Sequence, residues 1–117
     1  MNNREIAELS ASVLDKKKAI DIVIIDIGSK SSFADYFVIA SGNSERQIGS
    51  LSNEVQENLA KEEVIVKNIE GKQTSGWILM DYGDVIINIF TQDMRQRYSI
   101  EKVWGDCEII SMGGQNA

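Results

Sequence analysis

Apolar residues in the first half of the chain switch from helical to strand-like spacing. Residues 3–17 place apolar side chains on one face and charged ones on the others, which predicts an amphipathic surface helix. Residues 19–27 are β-branched and almost continuously apolar, as is typical of an interior strand covered on both faces. A loop at 28–32 and a second apolar strand at 35–41 follow. The apolar positions of the helix are Ile6, Leu9, Val13 and Leu14.

A second helix is predicted to start at Ser44 and to end near Glu62. Ser44 and Gln47 have the spacing of a capping box, in which each side chain bonds the backbone amide of the other residue. Residues 64–69 alternate weakly between apolar and polar, which favours an edge strand. The buried stripe of the helix is predicted to be Ile48, Leu51, Val55 and Leu59.

The remaining pattern predicts a hairpin and two short helices. Residues 77–80 and 85–90 flank a turn at 81–84 and read as antiparallel strands. Short helical segments are expected after Thr91 and after Ser99. The order αββαβββα predicts an α+β fold, an α/β sandwich with a mixed sheet flanked by helices.

Composition indicates one globular domain. The chain has 117 residues, of which 43% are hydrophobic and 26% charged. Residues 1–110 are expected to form a single domain, and the small, polar, glycine-rich residues 111–117 a flexible C-terminal tail.

The residue counts exclude several kinds of chemistry. With no histidine, the chain cannot form a Ser-His-Asp triad or a zinc site that contains histidine. Its single cysteine, Cys107, excludes an internal disulfide and lacks a histidine to generate the thiolate, so an inert thiol is expected.

Charge and hydropathy restrict the partners and the location. A net charge of -6 is opposite in sign to that of a typical nucleic-acid binder but suits a basic protein partner. Lys16, Lys17 and Lys18 form the only basic run, where peripheral RNA contact is the alternative to solvated charge. The chain has no secretory signal pattern and no apolar run that approaches about 18 residues. We therefore expect a cytoplasmic protein that does not bind a membrane.

Two segments suggest chemistry. Gly28, Ser29 and Asp35 resemble part of a nucleotidyltransferase pattern, but Phe37 stands where a second metal-binding carboxylate is required. In the hairpin, the aromatic residues Trp77 and Tyr82 lie near turns that include Asp81 and Asp84, a mixture suited to a basic protein surface. Spacing alone leaves open whether Trp77 is a binding residue or a core residue.

Longer segments resemble a known family. Residues 32–47, 76–87, 97–98 and 103–106 closely match the ribosomal silencing factor family, also called RsfS or Iojap-like. The similarity covers roughly residues 3–108 and includes the runs SSFADYF, SGNSERQ and DYGDV.

The resemblance implies a non-catalytic protein with a nucleotidyltransferase-like fold and no cofactor or metal. It implies binding to the large ribosomal subunit through ribosomal protein L-fourteen, which blocks the small subunit from joining and represses translation. It also implies a homodimer when free. The alternatives are a factor for large-subunit assembly and a metal-dependent nucleotidyltransferase that uses Asp35.

The family motifs supply the candidate site. The partner-binding residues carried over from the resemblance are Trp77, Asp81, Tyr82 and Asp84. The secondary candidates are Asp35, Tyr36, Asn43, Glu45, Arg46, Asn88 and Tyr98, of which Asn88 replaces a common histidine. Tyr98 and Trp104 are also expected to cover the sheet.

Overall fold

The computed structural model describes residues 1–98, 102, 105 and 107–113. Its elements alternate helices with groups of one to three strands. They are α1 (Asn3–Lys16), β1 (Ile20–Asp26), β2 (Tyr36–Gly42), α2 (Glu45–Lys61), β3 (Asn68–Lys72), a 3-10 turn (Gln73–Ser75), β4 (Trp77–Asp81), β5 (Val85–Thr91), α3 (Gln92–Tyr98) and β6 (Glu108–Gly113).

One mixed sheet organises these elements. The strand order is β3-β4-β5-β2-β1-β6. The β2 and β5 strands pair in parallel, and the other neighbours pair antiparallel. The predicted α+β fold with a mixed sheet is therefore confirmed.

Each face of the sheet has its own apolar cluster. The helix face packs against α1 and α2, whose Leu14 and Leu51 are almost fully buried. The opposite face, which we call the Trp77 face, includes Phe37 and Phe90. Ile24 and Ile25 in β1 point to different clusters, because side chains alternate along a strand. This confirms the prediction of an interior strand covered on both sides.

Polar caps fix where α1 and α2 begin. Asn2 and Glu5 form a complete capping box at α1 that the sequence analysis did not predict. At α2, the Ser44 hydroxyl accepts a hydrogen bond from the Gln47 amide at 3.1 Å, as predicted. The reciprocal bond was wrongly predicted, because the Gln47 side chain accepts from the Asn43 amide and not from Ser44.

The hairpin is confirmed, whereas the weak strand is displaced. The β4 and β5 strands pair antiparallel across a turn in which Gly83 has a φ of +93°. The predicted strand at 64–69 is instead β3 at Asn68–Lys72, although its edge position is correct. Val64 precedes the strand and packs against the core, which explains its apolar character. A Cβ at Gly71 would collide with the Trp77 carbonyl, so a glycine at this position allows β3 to pair closely with β4.

The predicted tail is wrong at its start. Residues 111–113 continue β6 and pair with β1, Ser111 opposite Ile24 and Gly113 opposite Ile22. Backbone groups make this ladder, so polar and glycine residues can belong to it at a sheet edge. Residues 114–117 lie outside the described residues. A helix and a Trp104 contact were also predicted after Ser99, and between 99 and 106 the described residues include only 102 and 105.

Within the described part of the chain, none of the helices has both the length and the apolar character needed to cross a membrane.

Candidate partner-binding site around Trp77

Trp77 is both packed and accessible. The indole lies at the start of β4 on the Trp77 face and is half-buried. Its ring centroid lies 5.0 Å from that of Phe90 and 5.1 Å from that of Tyr98. Its Nε1 donates a hydrogen bond to the Asn88 side-chain oxygen at 3.0 Å. The two interpretations left open by the sequence therefore both apply, since the core orients a side chain that still reaches the surface.

Asn88 supports Trp77 from beneath and does not lie on the surface. Strand alternation places it on the Trp77 face, in register between Ile39 and Leu79, with 0% exposure. Its Nδ2 finds no acceptor among the described residues. The prediction that Asn88 touches the edge of a contact surface is wrong, because its side chain is fully buried and bonded to the Trp77 indole.

Tyr82 belongs to the opposite side of the sheet. It is 8% exposed and packs in the cluster on the helix face, so direct partner contact by this side chain is contradicted. Its hydroxyl has no hydrogen-bond partner within the described part of the chain. Burial raises the pKa of Tyr82 to about 12. The turn adjoins the core here, and sequence spacing does not reveal on which side of the sheet the ring packs.

The carboxylates on this part of the sheet come from two strands. Asp81 is half-buried and its Oδ1 accepts from the Gly83 amide at 2.7 Å, which stabilises the hairpin turn. In β3, Asn68 lies opposite Asp81 and Glu70 opposite Leu79. Directly opposed residues share a face of a sheet. Glu70 is therefore an exposed acid on the Trp77 face.

Asp35 and Asp84 form a separate group at the far end of β4. The Asn3 side-chain amide donates to both carboxylates, at 3.0 Å to Asp35 and 3.2 Å to Asp84. Trp77 and Asp81 delimit β4, so this end of the sheet is about 13 Å from Trp77 along the strand. Tyr36 is half-buried beside the helix-face cluster. These residues connect α1 to the sheet and do not extend the surface around Trp77.

The nucleotidyltransferase interpretation gains no support from these positions. Phe37 is buried in the cluster on the Trp77 face, and the Asp35 carboxylate is bonded by Asn3. Among the residues that the structure describes, no group of three or more acidic or cysteine side chains could hold a metal ion.

The remaining candidates divide by position. Tyr98 is 49% exposed and stacks beside Trp77. Asn43, Glu45 and Arg46 are exposed where β2 meets α2. Ser41, Phe90 and Trp77 lie in one row across the sheet, so this segment is at the same end as Trp77 but two strands away.

A pocket beside Trp77 adds residues that sequence reasoning missed. It has a volume of about 260 Å³. Glu70 would have been found if the edge strand had been predicted at 68–72, because its register places it beside β4. Met94 carried no signal beyond its position in a short helix. The lining residues are Glu70, Gly71, Ser75, Trp77, Met94 and Tyr98.

Comparison with known proteins decides the family. The family model described as "Ribosomal silencing factor during starvation" matches residues 1–117. The chain belongs to the ribosomal silencing factor family. This confirms the resemblance found in the sequence. The role that the family description states is regulatory and not catalytic.

Relatives and solved structures agree with this assignment. A ribosomal silencing factor of Bacillus subtilis is 36% identical over 112 residues, which cover 96% of this chain and 95% of the relative. A crystal structure from Chromobacterium violaceum has a TM-score of 0.86 and 31% identity, and the match covers 100% of this chain and 92% of that one. A mouse protein named for mitochondrial assembly of the large ribosomal subunit is 29% identical over 100 residues, 83% of this chain and 44% of that protein.

Proposed function

We propose that this family member represses translation in the cytoplasm by binding the large ribosomal subunit through ribosomal protein L-fourteen. The bound protein blocks the small subunit from joining. Family membership supports the ribosomal role. The observation that carries the choice of surface is the Trp77 indole, which is half-buried, fixed by Asn88 and Phe90, and still partly accessible at the start of β4.

The chemistry of the Trp77 face suits a basic ribosomal protein. A rigid tryptophan supplies apolar contact area at a small cost in conformational entropy. Asp81 and Glu70 lie on the same face and can pair with arginine or lysine. The net charge of -6 favours encounter with a basic surface. Burial of Tyr82 removes it from this contact and leaves Trp77 and the flanking Tyr98 as the central residues, with Asp81 on the same face at the far end of β4.

Two further contacts are part of the proposal. The free protein forms a homodimer. If the Trp77 face lies in the dimer interface, the dimer dissociates and a monomer binds the ribosome. Peripheral ribosomal RNA contact involves the basic run at Lys16 to Lys18. Within this run, the Lys17 Nζ forms an ion pair with the Glu54 Oε1 at 3.6 Å. Sedimentation over a range of protein concentrations, with and without large subunits, tests the dimer.

The direct test of binding is co-sedimentation with separated subunits. The wild-type protein should sediment with large but not small subunits, and it should also bind isolated L-fourteen. Trp77→Ala should weaken both interactions by about 2 kcal/mol or more, in the range of interface hot spots.

Ile65→Ala is the matched control for that variant. Ile65 is 67% exposed, beside the pocket that also includes Tyr82 on the helix side, so its loss should leave binding unchanged. Wild-type affinity of a folded Trp77→Ala protein would remove Trp77 from the contact. Binding to neither subunit would overturn the proposed function.

A role in large-subunit assembly is the second candidate. It is favoured by the name of the mouse relative, which refers to assembly of the mitochondrial large subunit. Both roles use the same contact, so binding measurements do not separate them. Ribosome profiles of cells that lack the protein do: an assembly role predicts immature large-subunit particles, whereas silencing alone predicts normal particles and excess joined ribosomes during starvation.

A further inference from the structure

The pocket beside Trp77 has a composition that selects for one kind of side chain. It is about 260 Å³ in volume and opens between the edge strand β3 and α3. Trp77 and Tyr98 form an aromatic wall, with ring centroids 5.1 Å apart and planes inclined by 41°. Met94 adds a polarisable thioether. The pocket therefore offers aromatic and thioether surface in a volume that fits a planar side chain.

The aromatic wall is already in place in the free protein. Trp77 is fixed from below by the bond to Asn88 and by Phe90. Tyr98 lies within the last turn of α3, and its ring is held against the indole. A ligand therefore meets a formed surface and does not have to order these side chains.

Charge at the pocket favours a cation. Glu70 is exposed and lines the pocket, and its Oε2 accepts from the Asn68 amide at 3.2 Å, which orients the carboxylate along β3. Lys72 lies directly opposite Trp77 and two residues from Glu70, so it is a cation on the same face, although it does not line the pocket. Ser75 contributes the other polar side chain. The described lining thus contains one negative charge and no positive charge.

We propose that this pocket binds an arginine side chain of the basic protein partner. A guanidinium is planar, stacks on aromatic faces and pairs with a carboxylate through its fork of donors. An ammonium is more strongly hydrated and makes weaker stacking contacts. The choice of ribosomal partner rests on the proposed function, whereas the preference of the pocket for arginine rests on Glu70, Trp77 and Tyr98 alone.

The pocket is tested first without a ribosome. The probe is N-acetyl-arginine amide, added to the full chain while the indole N–H resonances are followed by NMR, with the Trp77 signal assigned from a Trp77→Phe variant. The arginine probe should shift the Trp77 resonance in a saturable way. The uncharged citrulline analogue should not, because it cannot pair with Glu70 as an ion.

Glu70→Gln should abolish most of this response. Glu57→Gln is the matched control, because it removes one negative charge from an exposed position on α2 beside the pocket on the helix side. It should leave the titration unchanged. Equal shifts with arginine and citrulline probes, no shift with either, or equal loss in both variants would each overturn the proposal.

Binding to the large subunit provides the second arm. Glu70→Gln should weaken it by about tenfold, as expected for a charge-assisted contact combined with stacking. Glu57→Gln should not weaken it. Wild-type large-subunit affinity of Glu70→Gln would contradict the arginine pocket and leave the proposed function intact. If the wild-type protein fails to bind large subunits but gives a normal arginine titration, the proposed function is contradicted. The preference of the pocket for arginine then still stands.

Discussion

Asn88 is the residue on which the geometry of Trp77 depends most directly. Its amide is fully buried, accepts from the indole at 3.0 Å and leaves its own Nδ2 without an acceptor in the described residues. A buried donor without a partner costs about 1–3 kcal/mol. The Asn88 side chain therefore orients Trp77 through one hydrogen bond and leaves an unpaired donor in the core.

Asn88→Leu separates these two effects. The substitution removes the unpaired Nδ2 donor but leaves the half-buried indole N–H without its acceptor, so the two effects offset and the free energy of unfolding should change by less than about 1 kcal/mol. The indole loses its hydrogen bond, so binding to large subunits should weaken by about three- to tenfold. Denaturant unfolding and co-sedimentation measure the two quantities. Unchanged binding would show that the bond does not position Trp77.

Tyr82→Phe tests the other buried polar group. The hydroxyl lacks a partner and burial raises its pKa from 10.0 to about 12. The folded protein therefore retains a proton that the unfolded chain loses, so stability falls as pH rises from about 10 to 12. Because phenylalanine does not titrate, the stability advantage of Tyr82→Phe should grow across this interval, by up to about 2–3 kcal/mol.

Two measurements decide that prediction. Denaturant unfolding of the wild type and of Tyr82→Phe at several pH values gives the difference in unfolding free energy. Every other group that titrates in this interval is present in both proteins, so its contribution cancels. At pH 7, Tyr82→Phe should be as stable as the wild type or slightly more so, with unchanged large-subunit binding. Parallel pH profiles would show that the hydroxyl is not desolvated, and weakened binding would return Tyr82 to the contact.

Among the elements, those with strong periodicity were predictable and the edges were not. The helices α1 and α2 and the strands β1, β2, β4 and β5 follow apolar patterns that burial imposes on side chains. The edge strands β3 and β6 are formed by backbone pairing, in β3 at exposed positions, which leaves little trace in the sequence.

Element β6 gives a prediction about its own length. Ending the chain after Ile110 removes the pairing of residues 111–113 with β1 and should lower the free energy of unfolding by about 1–3 kcal/mol. Ending it after Gly113 keeps this ladder and is the matched control. Denaturant unfolding compares the two. Equal stability would mean that residues 111–113 add nothing to the sheet.

The candidate site was predictable in part for the same reason. Trp77 and Asp81 belong to a recognisable hairpin, and their placement on one face follows from strand alternation. Burial of Tyr82 and Asn88 depends on which elements cover them, and Glu70 reaches the site through a strand displaced from its predicted position. Such facts depend on the three-dimensional packing and not on local pattern.

The whole molecule carries a charge of -6, which should act on the rate of encounter with a basic ribosomal surface. Raising the salt concentration screens this attraction, so the association rate should fall while the dissociation rate changes little. Stopped-flow binding to large subunits measures both rates. An association rate independent of salt would show that charge does not steer the encounter.

Occupation of the large subunit by this protein should prevent subunit joining. The most direct measurement is light scattering after mixing separated subunits, with large subunits preincubated with wild-type, Trp77→Ala or Ile65→Ala protein. Wild type and Ile65→Ala should reduce joining, and Trp77→Ala should not at the same concentration. Normal joining on large subunits saturated with the wild-type protein would contradict the proposed function.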